Sequence, residues 1–361
     1  MNIVLVSSDG QCGVYEYAQV LMEGFRQVGH RVRYIGVRKR DDHDLACKLK
    51  QVAADDEVVI FEYEPGIFGL RGLVMQMARL RFRGKKVLLS VHEIESAKYG
   101  EYRYILHQLN RPVRFQGPLE LLWLIRVTLG VAYRYFTLRV PLAMMGWLSQ
   151  QVIIHSPKTS DHIGIMLADR RKLHYVPLFV KPLDGDQSTL RDQLGLPRQV
   201  FAFIIPGFLF RRKRIIEVAE QLPANGELWV VGLPSEFEPG YLEEINAYLA
   251  QSSKRQQVRL ILNYEVEPYL LAADVVVLFY ADVYQSMVAS LAVGACKPCI
   301  FSDLPAFSDL REAGLVVRTP GELRQAMLDV QDPERYRQLV AGAERLQASL
   351  SPTQTAVAYI R

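Results

Sequence analysis

Residues Ala272–Asp303, AADVVVLFYADVYQSMVASLAVGACKPCIFSD, read as a buried strand, a polar turn, an amphipathic helix and a second strand. The run Asp274–Leu278 is apolar and uninterrupted, as a strand covered on both faces of a parallel sheet requires. The turn after it carries Asp282, Tyr284 and Gln285, and the helix opens at Ser286, a residue type that caps helix N-termini well. Free N–H groups and the positive dipole end would then face whatever lies beyond the strand, an arrangement suited to a phosphate. The plain alternative is a serine that only caps a structural helix, so the motif gains weight in combination with others.

Outward from this stretch the same grammar repeats. Before it lie strand patterns at Phe201–Ile205, Glu227–Val231 and Arg259–Leu262; within and after it lie Pro298–Phe301 and Leu315–Val317. Helical periodicity falls between them at Ile215–Gln221, Pro239–Gln251 and Ser286–Ala295. The first half alternates likewise, with strands predicted at Ile3–Val6, Arg33–Val37, Val58–Phe61, Lys86–Val91 and Val152–His155. Helices are predicted at Tyr15–Val28, closed by Gly29-His30, and at Gly72–Arg83. Strand–helix alternation implies parallel sheets covered by helices, and 361 residues are enough for two such domains. The Pro- and Gly-bearing segment Pro177–Pro197 marks the boundary. The expected division is residues 1–180 and 181–351, with a last helix, 352–361, that crosses back onto the first domain. Two doubly wound sheets of this kind place ligands at their strand C-termini, in a cleft between the domains.

Composition narrows the function classes. A hydrophobic content of 50% with 23% charged residues is globular, and a mean hydropathy of +0.03 hints at a partner surface or a membrane. Residues 1–180 hold 25 Lys and Arg against 17 Asp and Glu, a net of +8, whereas the rest holds 18 against 22, a net of −4. The basic half is therefore expected to face something anionic. No nucleic-acid-binding module accompanies that charge, and a pI near 8.7 does not argue for one, so nucleic acid is excluded as a partner. Four scattered cysteines make no disulfide framework and imply a reducing, cytoplasmic setting. The opening MNIVLVSSDG reads as a first strand, with no basic n-region ahead of its short apolar run.

Residues Pro118–Gln150, PLELLWLIRVTLGVAYRYFTLRVPLAMMGWLSQ, break the alternation. The segment is apolar and aromatic, but Arg126, Arg134 and Arg139 interrupt it and Pro141 would kink it, so it cannot span a bilayer unbroken. One reading is an interfacial element, with Trp123 and Trp147 at headgroup depth and the three arginines reaching phosphates. The other is a pair of core helices. The positive excess of the same half favours contact with the inner face of the cytoplasmic membrane.

Two further groups carry chemistry. Gly207-Phe208-Leu209-Phe210-Arg211-Arg212-Lys213-Arg214 puts four consecutive cations after a strand and before a helix, where they suit a nucleoside diphosphate rather than only a solvated surface. His92, with Glu93 and Glu95, follows the strand Lys86–Val91 and could serve as a base or a sugar ligand. Glu62 and Glu64 end the neighbouring strand. Neither the histidine spacing nor any DxD motif points to a metal ion, so transfer chemistry here is expected to be metal-independent.

Taken together, the segments CGVYEYAQVLMEGFRQVGHRV, FEYEPGIFG, VHEI, HYVPL, the Gly207–Lys213 loop, ADVVVLFY and CKPCIFSDLP resemble, in order, the GT-B-fold glycosyltransferases of the large retaining group. That group includes bacterial exopolysaccharide, O-antigen and phosphatidylinositol sugar transferases. The resemblance covers nearly the whole chain and implies two Rossmann-like domains facing across a cleft. It implies a hexosyltransferase-type reaction that uses a nucleotide-diphosphate sugar as substrate and no other cofactor. By position it makes Lys213, with Arg211 or Arg212, the contact of the donor diphosphate. It puts Gly207 and Gly13 near the phosphates, Tyr264 and Glu265 around the nucleobase, His92 at the donor sugar, and Glu64 and Glu93 on the acceptor side. The sequence departs from the group at its acidic E-x7-E pair. Two alignments place that pair at Val283 and Leu291 or at Ala281 and Ala289, and neither supplies a carboxylate. Asp282 is near, but its counterpart is Ser290. A Ser-rich turn such as Tyr284-Gln285-Ser286 occurs in a subset of related transferases. The implied activity is sugar transfer to a glycan or lipid-linked acceptor in bacterial polysaccharide or glycolipid biosynthesis, retaining or inverting. The missing acids leave room for a non-catalytic subunit of the same fold that binds a glycan or a partner transferase.

Overall fold

The structure, a computed structural model, describes residues 1–10, 12–92, 125–126, 129–130, 133, 135–157 and 169–361. The chain divides into two compact units, Met1–Val176 with Ala356–Arg361, and Pro177–Thr355. The last helix, Pro352–Ile360, thus lends its second half to the first unit.

The first unit is built on six parallel strands: β1 (Asn2–Ser8), β2 (Arg31–Val37), β3 (Val58–Tyr63), β4 (Lys86–Val91), β5 (Gln151–Ile154) and β6 (Leu173–Tyr175). They lie in the order β2-β1-β3-β4-β5-β6. Central β3 is buried at every position, including Glu62, whereas the edge strands β2 and β6 keep exposed residues. This is the burial that runs of Val, Ile and Phe impose on inner strands of a covered sheet. The helix Gly13–Gln27 follows β1 and ends as predicted: Gly29 takes a φ of +86°, and His30 N–H returns to the Phe25 carbonyl at 3.0 Å. The helices Leu70–Phe82 and Val140–Leu148 meet in the core through Leu73, Met77, Leu80, Met145 and Leu148. Pro141 lies at the start of the second of these, directly after a wide turn at Tyr135–Arg139. A proline lacks the N–H that would bond back to residue 137, so the helix loosens there.

The second unit carries β7 (Phe201–Pro206), β8 (Gly226–Val231), β9 (Val258–Ile261), β10 (Val275–Leu278), β11 (Cys299–Ser302) and β12 (Gly314–Val317), in the order β12-β11-β10-β7-β8-β9. Side chains alternate between two cores: Ala202, Ile204, Trp229, Val276 and Leu278 on one face, Phe203, Ile205, Leu228, Val275 and Val277 on the other. Both sheets are doubly wound. The strand order reverses between β1 and β3 in the first and between β7 and β10 in the second, the places where such sheets hold ligands.

Several elements are additional to the sequence-based expectation. Strand β6 is only three residues, LHY, two half-buried and Tyr175 exposed, and carries no readable alternation. The helices Pro320–Asp329 and Pro333–Ser349 are polar over most of their surface, so little apolar periodicity marks them. Pro239 and Gly240 lie outside the helix Tyr241–Gln251, because Gly240 adopts a φ of +88°.

Candidate functional site

At the switch point of the second sheet, two motifs far apart in sequence meet. Gly207 follows β7 with a φ of +86°, a conformation that favours glycine. A side chain there would sit 3.1 Å from Lys213 Nζ and 3.4 Å from Val288, on the helix Met287–Gly294. The chain then makes a tight turn at Arg211–Lys213 and enters the helix Ile215–Gln221 through Arg214, again at positive φ. The carbonyl of Arg212 accepts a hydrogen bond from Ala281 N–H at 2.7 Å, which ties the cationic turn to the turn after β10.

The four cations are not equivalent. Arg211 is engaged by Glu238 and Glu244, and its guanidinium lies over Tyr241. Arg214 pairs with Glu217 at 3.6 Å and covers the Phe279 ring. Arg212 is exposed, lying 4.5 Å over the Phe210 ring. Lys213 is buried, and its ammonium donates to the Pro206 carbonyl at 2.5 Å. Desolvation, with Arg212 beside it, lowers its pKa to about 7, and no carboxylate among the described residues offsets that. A buried ammonium without a counter-ion favours any anion that can reach it.

Ser286 caps the helix Met287–Gly294, its hydroxyl accepting from Ala289 N–H at 3.2 Å. The same side chain shares a hydrogen bond with the buried Tyr280, whose ring centre lies 6.0 Å from Lys213 Nζ. Ser302 on β11 donates to the Tyr280 carbonyl at 2.8 Å and so fixes the end of β10. Of the turn residues, Asp282 is exposed while Tyr284 and Gln285 are half-buried. Ser290 is buried, its hydroxyl without a hydrogen-bond partner among the described residues. Phe208 stands edge-on to Tyr264 at 6.4 Å and to Phe210 at 6.3 Å. Tyr264 and the exposed Glu265 follow β9.

The first unit holds a buried polar cluster at the C-terminal ends of β3, β4 and β5. His92 N–H bonds to the Tyr63 carbonyl at 2.9 Å, and His92 Nε2 meets Glu62 Oε2 at 2.6 Å. His155 Nδ1 faces the Val176 carbonyl at 2.8 Å, so Nδ1 carries the proton and Nε2 accepts. Burial and the neighbouring His92 push the His155 pKa down to about 3, which keeps the ring neutral. Ser90 Oγ reaches His155 Nε2 at 3.0 Å and Tyr359 Oη at 2.9 Å, and Tyr359 Oη reaches Tyr17 Oη at 2.9 Å. Burial and the Glu62 charge raise the pKa of both tyrosines, so they remain hydroxyl donors. Glu62 Oε1 is buried without a hydrogen-bond partner among the described residues. Glu62, His92 and His155 each place one ligand-capable atom within 4.8 Å of the others, a donor set that suits a transition-metal ion as well as a proton. Spacing along the chain gives no hint of this set, because its members come from three neighbouring strands.

The remaining candidates are spread. Gly13 opens the helix Gly13–Gln27, and a side chain there would meet nothing within 4 Å, so packing in this chain does not demand the glycine. Glu64 lies just past β3, its carbonyl accepting from Ile67 N–H at 2.9 Å. Arg126 and Trp147 are exposed and Arg139 is half-buried. Glu93, Glu95, Trp123 and Arg134 lie outside the described residues.

No protein-family model and no curated protein matches the chain. Solved structures do. Anabaena HepE in complex with UDP-glucose superposes with a TM-score of 0.71 at 14% identity over 100% of this chain and 98% of that one. Sucrose-phosphate synthase from Thermosynechococcus elongatus gives 0.67 at 17% identity over 99% and 96%. WaaG, a glycosyltransferase involved in lipopolysaccharide biosynthesis, gives 0.59 at 14% over 99% and 98%. With two Rossmann-like units of this form, the chain has the GT-B fold.

Proposed function

We propose that the protein is a hexosyltransferase that moves a sugar from a nucleoside-diphosphate donor to a lipid-linked acceptor in bacterial polysaccharide or glycolipid synthesis. One observation carries this reading. Lys213, buried and without a carboxylate partner among the described residues, stands beside the Ser286-capped helix at the switch point of the second sheet. As the glycosidic C–O bond to the donor breaks, negative charge gathers on the departing diphosphate. Lys213, the exposed Arg212 and the first N–H groups of the helix would stabilise it. Phe208 and Tyr264 offer ring faces to a nucleobase. His92, held by Glu62, is the base or sugar ligand of the first unit. HepE, similar in fold over its whole length, was solved with UDP-glucose, which supports a donor of this class. A lipid-linked acceptor would make the enzyme a peripheral protein at the inner face of the cytoplasmic membrane.

The test is calorimetric titration with UDP, GDP and ADP, followed by assay of donor turnover. One nucleoside diphosphate should bind saturably, and Lys213→Ala should weaken it at least about tenfold, ~1.4 kcal/mol. If none of the three binds, the reading fails. A non-catalytic subunit of the same fold is favoured by one observation, the absence of carboxylates at 281, 283, 289 and 291. Binding of a nucleoside diphosphate without hydrolysis or transfer of any matching donor would select it.

A further inference from the structure

The first unit exposes a row of large apolar side chains: Ile125, Leu129, Tyr133, Phe136, Met144 and Trp147, the last 73% exposed. Met144 and Trp147, three residues apart, share one side of the helix Val140–Leu148. The other side of the helix Val140–Leu148 is already committed, since Pro141, Met145 and Leu148 are buried. The helix is therefore apolar on its exposed face as well as its core face, which a solvated helix avoids.

Along the row's own stretch of chain the charges have one sign. From Leu121 to Ser160 the sequence contains no Asp or Glu, whereas Arg126 and Arg139 interleave with the apolar residues. Lys172 donates to the carbonyls of Trp147 at 3.0 Å and Ser149 at 2.9 Å, which places an ammonium at the end of the helix. The helix Leu70–Phe82, packed against it in the core, ends with Phe82 exposed between the exposed Arg81 and Arg83. Rings interleaved with cations and no carboxylate along the same stretch suit an anionic bilayer surface, with the apolar groups at the headgroup boundary and the guanidinium groups on lipid phosphates. A second copy of the chain would bring the same arginines against each other. No helix among the described residues is long and apolar enough to cross a membrane, so the contact would be interfacial.

We infer that this row is a docking face for an anionic lipid surface. The inference rests on the reading of the acceptor as lipid-linked, and names the face that would bring the enzyme to it. Co-sedimentation of the full chain with vesicles of phosphatidylcholine, alone or mixed with phosphatidylglycerol, tests it. The wild type should bind the mixed vesicles and not the neutral ones, and added salt should release it. Arg126→Gln should weaken binding about fivefold at low salt. The double variant Phe136→Ser/Trp147→Ser should abolish it, while its circular dichroism and its affinity for the nucleoside diphosphate remain those of the wild type. Equal binding to both vesicle types, or wild-type binding by the double variant, overturns the inference. So does a wild-type dimer in sedimentation equilibrium that the double variant converts to monomer. Vesicle binding without nucleotide binding would retain the docking face and sink the transfer reading; the converse would do the opposite.

Discussion

At Lys213 the protein holds an ammonium where burial opposes its charge, and a pKa of about 7 in place of the ordinary 10.5 follows. Below pH 7 the group is already protonated, and binding of a diphosphate needs no proton. Above pH 7 each binding event must take one up, so affinity should fall about tenfold per pH unit until the pKa of the bound state is reached. Calorimetry across pH 6 to 9 in buffers of different ionisation heat would show both the slope and the proton uptake, and Lys213→Met should lose both. The same shift has a folding consequence of definite sign. Between about pH 7 and 10.5 the unfolded chain binds the proton that the folded chain has released, so this residue's contribution to stability rises with pH across that window. Lys213→Met should flatten that rise in denaturant titrations. The run Arg211–Arg214 announces an anion site in the sequence, but not which cation serves it. The partners that engage Arg211 and Arg214, namely Glu238, Glu244, Glu217 and Phe279, become visible only once the chain is folded.

Among the elements, the helix Met287–Gly294 is fixed at both ends, and each end supplies a test. At its start, Ser286→Ala removes the cap and the hydroxyl that Tyr280 uses, and should cost about 1 kcal/mol of unfolding free energy. At its other end, a side chain on Gly294 would lie 2.1 Å from the Lys181 carbonyl oxygen, and the Gly294 carbonyl accepts from Leu183 N–H at 2.7 Å. Gly294→Ala must push that segment away and should cost about 1–3 kcal/mol. Gly321→Ala is the matched control, since its nearest neighbour would be Thr319 Oγ1 at 4.0 Å, and it should leave the urea midpoint unchanged or raised. Strand β10, this helix and strand β11 are legible in the sequence because each is an apolar run with a polar break. Pro333–Ser349 is not, because only Leu339, Gly342, Ala343 and Leu346 turn inward along its length. Gly342 is small there for a reason that no sequence pattern displays, as a side chain would meet the Glu312 carbonyl at 1.9 Å.

On the scale of the whole molecule, the first unit is assembled from two separated parts of the chain, residues 1–176 and 356–361, with the second unit between them. Tyr359 is the joint. It is fully buried, its ring lies against Phe25 at 6.1 Å, and its hydroxyl reaches Tyr17, Ser90 and His155. The crossing of the last helix is part of the domain division read from the sequence; the residue that anchors it is not readable, since a tyrosine near residue 360 has no motif around it. His155 Nε2, held as an acceptor by the bond from Nδ1 to Val176, requires a hydroxyl donor, and Ser90 alone cannot serve it and Tyr359 at once through a single proton. Tyr359→Phe leaves the ring packing in place but removes one donor from a buried network, which should cost about 1–3 kcal/mol. Hydrogen exchange locates the loss: amides of β4 and β5 should exchange faster while those of β7 and β10 keep their wild-type protection. Equal acceleration in both sheets would mean that Tyr359 supports the whole chain rather than the first unit. Truncation before Ala356 removes the ring as well, and should expose the Tyr17 and Phe25 face of the helix Gly13–Gln27, read as a larger exchange increase in that helix than Tyr359→Phe produces.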